Sequence, residues 1–204
     1  MRYLSRADVE GLLDMRSCID VMREAFLAVA EGRVASPQRT VIRIEEQAGF
    51  FGSMPVSARG FGSAAKVMTI YPGNHEKGMA SHQGYILLFA EEHGEPIALI
   101  EAGSITELRT AAVSGLATDL LAQPDAATLA VLGSGVQARS HVKAVCCVRE
   151  IGRIQVWSRT REHADTFAEW VRAETGVETK VMVTAKDAAA DADDGAAVHE
   201  GFDG

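Results

Sequence analysis

The chain has 204 residues, with Lys plus Arg at 20, Asp plus Glu at 28 and a formal net charge of −8. That length suits one large domain or two small ones around a real core, and an apolar share of 47% argues against disorder. The acidic balance disfavours a general nucleic-acid binder, which needs a basic stripe, and the longest apolar runs, residues 25–30 and 85–90, fall far below the ~18 residues of a membrane span.

The start, Met1-Arg2-Tyr3-Leu4-Ser5-Arg6, enters a polar amphipathic pattern directly and shows no secretory leader. Cys18, Cys146 and Cys147 are odd in number and two are adjacent. A disulfide framework is therefore not expected, and a reducing cytoplasm fits. No cysteine or histidine spacing suggests a metal site.

Ser5-Arg6-Ala7-Asp8 reads as a capping box opening a first helix. A longer helix follows Asp14, with Met15, Ile19, Met22, Phe26 and Val29 at core-facing spacing and Gly32 as its stop. Beyond Pro37, residues 40–44, 50–54, 64–70, 85–89 and 97–100 read as strands punctuated by glycines. Residues 90–95 read as a hairpin loop. Ser104-Ile105-Thr106-Glu107 is a second capping-box signature. It opens a helix through about residue 122, with Ile105, Leu108, Ala112, Val113, Leu116 and Leu120 on the buried side. Pro124 ends it and marks the expected domain boundary.

After that boundary come a short buried strand at 127–132, a glycine-rich turn, a helix to about 148, a strand at 154–157, a helix at 160–174 with Ala164, Phe167, Ala168 and Val171 inward, and a strand at 180–183. The fold class is α/β. A mixed α+β unit, residues 1–124, precedes an incomplete doubly wound dinucleotide-binding unit, β-α-β-α-β, at 125–193.

Gly133-Ser134-Gly135-Val136-Gln137-Ala138 fits the G-x-G-x-x-G/A turn. The first glycine permits the tight turn, the second lets backbone approach a pyrophosphate, and the small sixth residue lets helix and strand pack. The helix that follows offers free amides and a positive dipole end. NAD-preferring folds carry Asp or Glu at the end of the second strand. Here the residues are Val156-Trp157-Ser158-Arg159-Thr160-Arg161: no carboxylate, two arginines and two hydroxyls. A 2′-phosphate is favoured there, which selects NADP(H), with NAD(H) possible and two solvated arginines as the bland reading.

Lys66 interrupts an otherwise apolar strand, as edge protection or as an anion-binding group. Arg109 has Ile105, Ala112 and Val113 as its helical neighbours and is expected near the buried side, snorkelling or clamping a carboxylate or phosphate. Arg39 begins a strand, and residues 78–84 gather polar groups before an apolar one.

These segments together resemble the ornithine cyclodeaminase/mu-crystallin family. The matching pieces are Pro37-Gln38-Arg39-Thr40, Met54-Pro55, Lys66, Ser81-His82-Gln83-Gly84, Ile105-Thr106-Glu107-Leu108-Arg109-Thr110-Ala111-Ala112, the turn at 133–138 with His141, and Trp157-Ser158-Arg159-Thr160. The resemblance implies a homodimeric enzyme, whose first domain dimerises and binds a small amino-acid or imino-acid substrate while the second binds NAD(P). By matching position, Arg39, Lys66 and Arg109 would hold the substrate carboxylate, and Lys66 would be the catalytic residue. Ser81, His82, Gln83, Arg109, Gly133, Gly135, Val136, Gln137, Ser158, Arg159 and Thr160 would approach the cofactor. The Ser-His-Gln and Ser-Arg-Thr pieces look closest to the NADPH-using ketimine reductases. They imply reduction of a cyclic imino acid such as pyrroline-2-carboxylate or a related amino-acid dehydrogenase activity, with an NAD-dependent ornithine cyclodeaminase as the alternative.

The family's dinucleotide domain continues past three strands. Residues 194–204, Asp-Asp-free after Asp194 until Asp203 and poor in large apolar groups, show no strand pattern. They are read as an irregular tail outside the family sequence, from a truncation or a frameshift after about Asp193. Such a chain would lack the family's catalytic Asp, and an inactive fragment is the third reading.

Overall fold

The computed structural model describes residues 1–190 and 192–196. The elements in chain order are β1 (Arg2–Leu4), α1 (Arg6–Leu12), α2 (Met15–Ala30), β2 (Val34–Ala35), β3 (Thr40–Ile44), β4 (Gly49–Ala58), β5 (Gly62–Ile70), β6 (His82–Phe89), β7 (Pro96–Glu101), α3 (Ala102–Leu121), β8 (Thr128–Leu132), α4 (Val136–Cys146), β9 (Arg153–Trp157), α5 (Arg161–Thr175), β10 (Glu178–Val181), α6 (Ala185–Ala190) and β11 (Asp194–Ala196). They form two compact units. The first comprises residues 1–14 and 24–106, the second residues 15–23 and 107 onward. The expected boundary at 124 lies inside the second unit.

In the first unit, Ser5 caps α1 through the expected box. Its hydroxyl accepts from the Asp8 amide, and the Asp8 carboxylate accepts from the Ser5 amide. A seven-stranded sheet runs β1-β7-β6-β5-β4-β2, with β3 also on β4. Every pairing is antiparallel except β1 on β7. The strands read from sequence all form. β1 and β2 were not read, because at three and two residues they show no periodicity and exist through pairing alone.

Two helical stripes differ from expectation. In α2, Met15 and Ile19 are buried, but Phe26 is 52% and Val29 59% exposed. In that half the buried residue is Ala28, so the inward face runs through small side chains and the large ones stay outside. In α3, Ala111, Ala112 and Leu116 are buried while Leu120 is exposed. α3 also starts earlier than its capping-box signature. Glu101 accepts from the amides of Gly103 and Ser104 at 2.6 and 2.8 Å, doing what the Ser104–Glu107 box was expected to do. Glu107 instead accepts from the Ser140 hydroxyl at 2.7 Å.

The second unit carries a four-stranded parallel sheet in the order β10-β9-β8-β11. Its core joins Leu129, Val131, Ile154 and Val156 of the strands to Val142 and Val145 of α4 and to Ala164, Phe167 and Val171 of α5. All four residues expected to turn inward from α5 are buried. At Gly115 of α3 a Cβ would lie 3.0 Å from Ile19 Cδ1 and 3.1 Å from the Ala144 carbonyl. A side chain there would force Ile19 and Ala144 to give by a few tenths of an ångström, so glycine eases that approach of helices.

The third strand forms at Glu178–Val181 rather than 180–183, because pairing with β9 starts at Arg153 opposite Glu178. Asp194–Ala196, read as irregular, forms β11 parallel to β8. Main-chain hydrogen bonds to a strand edge do not require an apolar side-chain pattern, which is why the sequence carried no signal. The remainder of the expected tail, 197–204, lies outside the described residues.

Candidate functional site

In the first unit, Lys66 of β5 sits opposite Ile86 of β6, and Ile70 opposite His82. Side chains alternate between faces along a strand, so Lys66 and His82 share one face, with Gly84 between them. Lys66, half-buried, donates from Nζ to Thr106 Oγ1 at 2.5 Å, and that hydroxyl donates to the Ala102 carbonyl at 2.6 Å. Lys66 is therefore held on the sheet face under the first turn of α3, away from an edge-protecting position. Thr106 was not singled out as a site residue, although it stands inside the Ile-Thr-Glu-Leu-Arg-Thr-Ala-Ala segment. Burial, and after it the Lys66 charge, hold His82 below its ordinary value of 6.5, which favours a neutral imidazole at pH 7.

Ser81 precedes β6 and its carbonyl accepts from the Tyr71 amide at 2.9 Å. Gln83 donates to the Ala80 carbonyl at 3.2 Å. Arg39 is exposed just before β3, and β4 separates β3 from the Lys66 strand. The structure thus groups Lys66 with His82 and Thr106, and places Arg39 two strands away. Arg109 falls in the second unit's part of α3 and is exposed, not turned toward the buried side. The buried row of that helix runs through Ala111, Ala112 and Leu116, and Arg109 lies off it.

In the second unit the strand order reverses at β8. β9 follows on one side and β11 lies on the other, the switch point at which open α/β sheets bind ligands beyond the strand ends. The glycine-rich turn occupies that position. Gly133 has φ +128°, a region closed to other residues, and its amide donates to the Trp157 carbonyl at 2.8 Å. Gly135 caps α4 without a side chain over the first-turn amides. Ala138 is fully buried, and Val136 is 56% exposed. Gln137 Oε1 is buried with no hydrogen-bond partner among the described residues.

Ser134 Oγ and Ser158 Oγ lie 3.0 Å apart, tying the turn to the end of β9. Arg159 and Thr160 follow, both exposed, and Thr160 caps α5 without using its side chain. No carboxylate stands at that strand end. Open helix amides and a glycine-only turn fit the pyrophosphate of a dinucleotide. A groove between α4 and α5, lined by Ser134, Gly135, Arg139, His163 and Thr166, adjoins the turn; the last three were not among the expected site residues.

Among the described residues no His, Cys, Asp and Glu cluster could hold a metal. No disulfide joins the cysteines, and burial, then Cys147, pushes the Cys146 thiol up to about 11, which leaves it a poor nucleophile. No helix among the described residues is long and apolar enough to cross a membrane.

Fold and turn define a two-unit protein, an antiparallel-sheet unit with an internal lysine and a doubly wound unit with a dinucleotide-type turn. The chain belongs to the ornithine cyclodeaminase/mu-crystallin family, whose model matches residues 2–195. Ketimine reductase mu-crystallin of Mus musculus is 36% identical over 185 residues, covering 88% of this chain and 59% of the relative. Delta(1)-pyrroline-2-carboxylate reductase of Thermococcus litoralis, solved with NADH and L-proline, is 38% identical with a TM-score of 0.89, covering 95% of this chain and 60% of that one. An archaeal alanine dehydrogenase dimer with bound NAD is 27% identical with a TM-score of 0.86, covering 92% and 57%. The chain thus spans about three-fifths of the length of these relatives.

Proposed function

We propose that this chain is the substrate-binding and first cofactor-binding portion of an NAD(P)H-dependent oxidoreductase that reduces a small cyclic imino acid bearing a carboxylate. The observation that carries the reading is the β8–α4 turn, joined by its serine pair to a strand end that carries hydroxyls and arginine in place of an acid. The nicotinamide, when bound, supplies the hydride for the carbon of the C=N bond. Gly133, Gly135, Val136 and Gln137 present backbone to the pyrophosphate. Ser158, Arg159 and Thr160 receive a 2′-phosphate, which selects NADP(H) over NAD(H). Ser81, His82 and Gln83 belong to the cofactor side of the first unit.

Lys66 fixes the substrate carboxylate through its ammonium. The Thr106 hydroxyl limits the directions Nζ takes, so the anion is oriented as well as attracted. Lys66 Nζ is also the candidate source of the proton that the imine nitrogen takes up. The neutral state of His82 keeps a second positive charge from competing on that face.

A homodimer is part of the proposal. It is supported by Phe26, Leu27, Val29, Val41 and Ile42 of the first unit, each more than half exposed, and by the dimeric archaeal relative. The odd number of cysteines, two of them the adjacent Cys146 and Cys147, supports a reducing, cytoplasmic setting.

Titration of the purified chain with NADPH and NADH, followed by nicotinamide fluorescence, tests the cofactor reading. Micromolar NADPH binding with much weaker NADH binding is expected, followed by NADPH oxidation with pyrroline- or piperideine-2-carboxylate. NADH preference with ammonia released from ornithine would replace this reading by the cyclodeaminase one. Binding of neither cofactor to folded protein would refute it.

A further inference from the structure

We propose that Arg139 and His163 form a second wall of a phosphate-monoester site in the groove between α4 and α5, and that this site takes the adenosine 2′-phosphate of NADP(H). The inference rests on the cofactor reading above and extends it to residues beyond the strand-end set at 158–160. The groove is lined by Ser134, Gly135, Arg139, His163 and Thr166. Ser134 is the residue whose hydroxyl meets Ser158, so the groove opens directly beside the strand end.

Arg139 lies near the start of α4, at the positive end of the helix, where a cation is electrostatically disfavoured. Its guanidinium lies over the Trp170 ring at 4.5 Å and the Phe167 ring at 5.8 Å. No carboxylate pairs with it among the described residues. Its neighbours are treated differently. Lys143, the other cation on Trp170, is paired with Glu174 at 2.6 Å, and Arg161 is paired with Asp165 at 3.1 Å. Stacking on the buried Phe167 and the half-buried Trp170 restrains the guanidinium plane while its N–H edges stay available to an acceptor.

His163, in the first turn of α5, is exposed and brings a second donor to the same groove. The Thr166 hydroxyl already donates to the Glu162 carbonyl at 2.9 Å. A groove with an unpaired arginine, a histidine and a hydroxyl pair, and no acid in its lining, suits an anion. The pyrophosphate has the first-turn amides of α4, so the anion left for this groove is the monoester on the ribose.

The test uses the full chain, with dissociation constants for NADPH, NADH, 2′,5′-ADP and AMP measured by calorimetry on the wild type, Arg139→Met and His163→Gln. Methionine keeps an apolar stem over Trp170, His163 is exposed, and circular dichroism checks the fold of each variant. Arg139→Met is expected to weaken NADPH and 2′,5′-ADP about tenfold and His163→Gln about threefold, with NADH and AMP within about twofold of wild type. Unchanged NADPH and 2′,5′-ADP affinities in both variants would overturn the proposal while leaving the cofactor reading intact. Equal weakening of NADPH and NADH would also overturn it, by showing a structural role for Arg139. A wild type that does not distinguish 2′,5′-ADP from AMP overturns it as well, and one that binds no nucleotide sinks both readings together.

Discussion

Replacing Glu101 with alanine should destabilise the protein by about 2–3 kcal/mol at neutral pH. The carboxylate accepts from two amides in the first turn of α3, at 2.6 and 2.8 Å, and lies 4.0 Å from Arg6. Loss of a helix cap costs typically about 1 kcal/mol and up to about 2. Loss of a negative charge at the helix start adds roughly 0.3–1 kcal/mol. Ser104 is 1% exposed, so water cannot fully replace the lost acceptor at its amide, which places the cost near the upper end. Glu101→Gln keeps one acceptor and should lose about half as much. For a chain of this size the alanine change corresponds to a fall of roughly 4–12 °C in Tm.

The effect should also depend on pH with a definite sign. Burial works to raise the Glu101 carboxyl. The bonds from Ser104 and Gly103, together with Arg6, outweigh burial and hold it below its ordinary 4.5. Its contribution is therefore present above 4.5 and disappears as pH falls through the lower folded value, so wild type and variant should converge in acid. Urea unfolding of wild type, Glu101→Gln and Glu101→Ala at pH 7 and near pH 3 measures this. An alanine variant within about 0.5 kcal/mol of wild type at pH 7, below the ordinary cost of a lost cap, would refute the reasoning. So would a gap that stays the same in acid. The result bears on function because the same turn carries Thr106, which accepts from Lys66.

Lys66→Met should raise the KM for the imino acid roughly 10- to 150-fold, the range of one charge-assisted hydrogen bond, while leaving NADPH affinity unchanged; parallel steady-state kinetics and titration separate the two. Gly133→Ala forces a Cβ onto φ +128° at about 1–3 kcal/mol, so cofactor binding should weaken at least about fivefold, and an alanine variant that binds like wild type would show that the turn adapts. Phe167→Ala removes a fully buried ring and should cost about 3–5 kcal/mol in urea unfolding. His82 is held below 6.5, so between its folded value and 6.5 the unfolded chain binds the extra proton. Stability should rise with pH through that window, and His82→Gln should flatten the slope in Tm between pH 5 and 7.5.

What could be read from the residues follows from the range of the interaction that fixes each feature. Ala164, Phe167, Ala168 and Val171 recur at helical spacing over two turns of α5, and all four are buried, because one long period is enough to orient a helix. The glycine-rich turn was legible for a different reason: φ +128° at Gly133 is a local demand that leaves glycine in the sequence.

Glu101 was missed because Ser104 and Glu107 offered a second, equally local solution for the same helix start. The choice fell to tertiary contacts, which gave Glu107 to Ser140. Arg109 was misplaced because three apolar neighbours do not define a face when the buried row of α3 is set by small residues meeting α2 and α4 near Gly115. β11 carried no pattern because its partner edge on β8, not its own side chains, makes it a strand. The grouping of Arg39, Lys66 and Arg109 came from family resemblance alone. Of that trio, Lys66 is the member whose position the first unit explains, through Thr106.

The serine pair that joins the glycine turn to β9 has an evolutionary consequence. Ser158 is half-buried at a strand end, outside the packed core, and its side chain meets one neighbouring hydroxyl. Losing that contact costs on the order of 1 kcal/mol, a small part of the stability of a domain. A single change there, to aspartate for example, would put a carboxylate in place of a neutral hydroxyl beside the ribose without disturbing Leu129, Ile154 or Phe167 in the core. Coenzyme choice in such a chain can drift under selection while the scaffold stays under its own separate constraint.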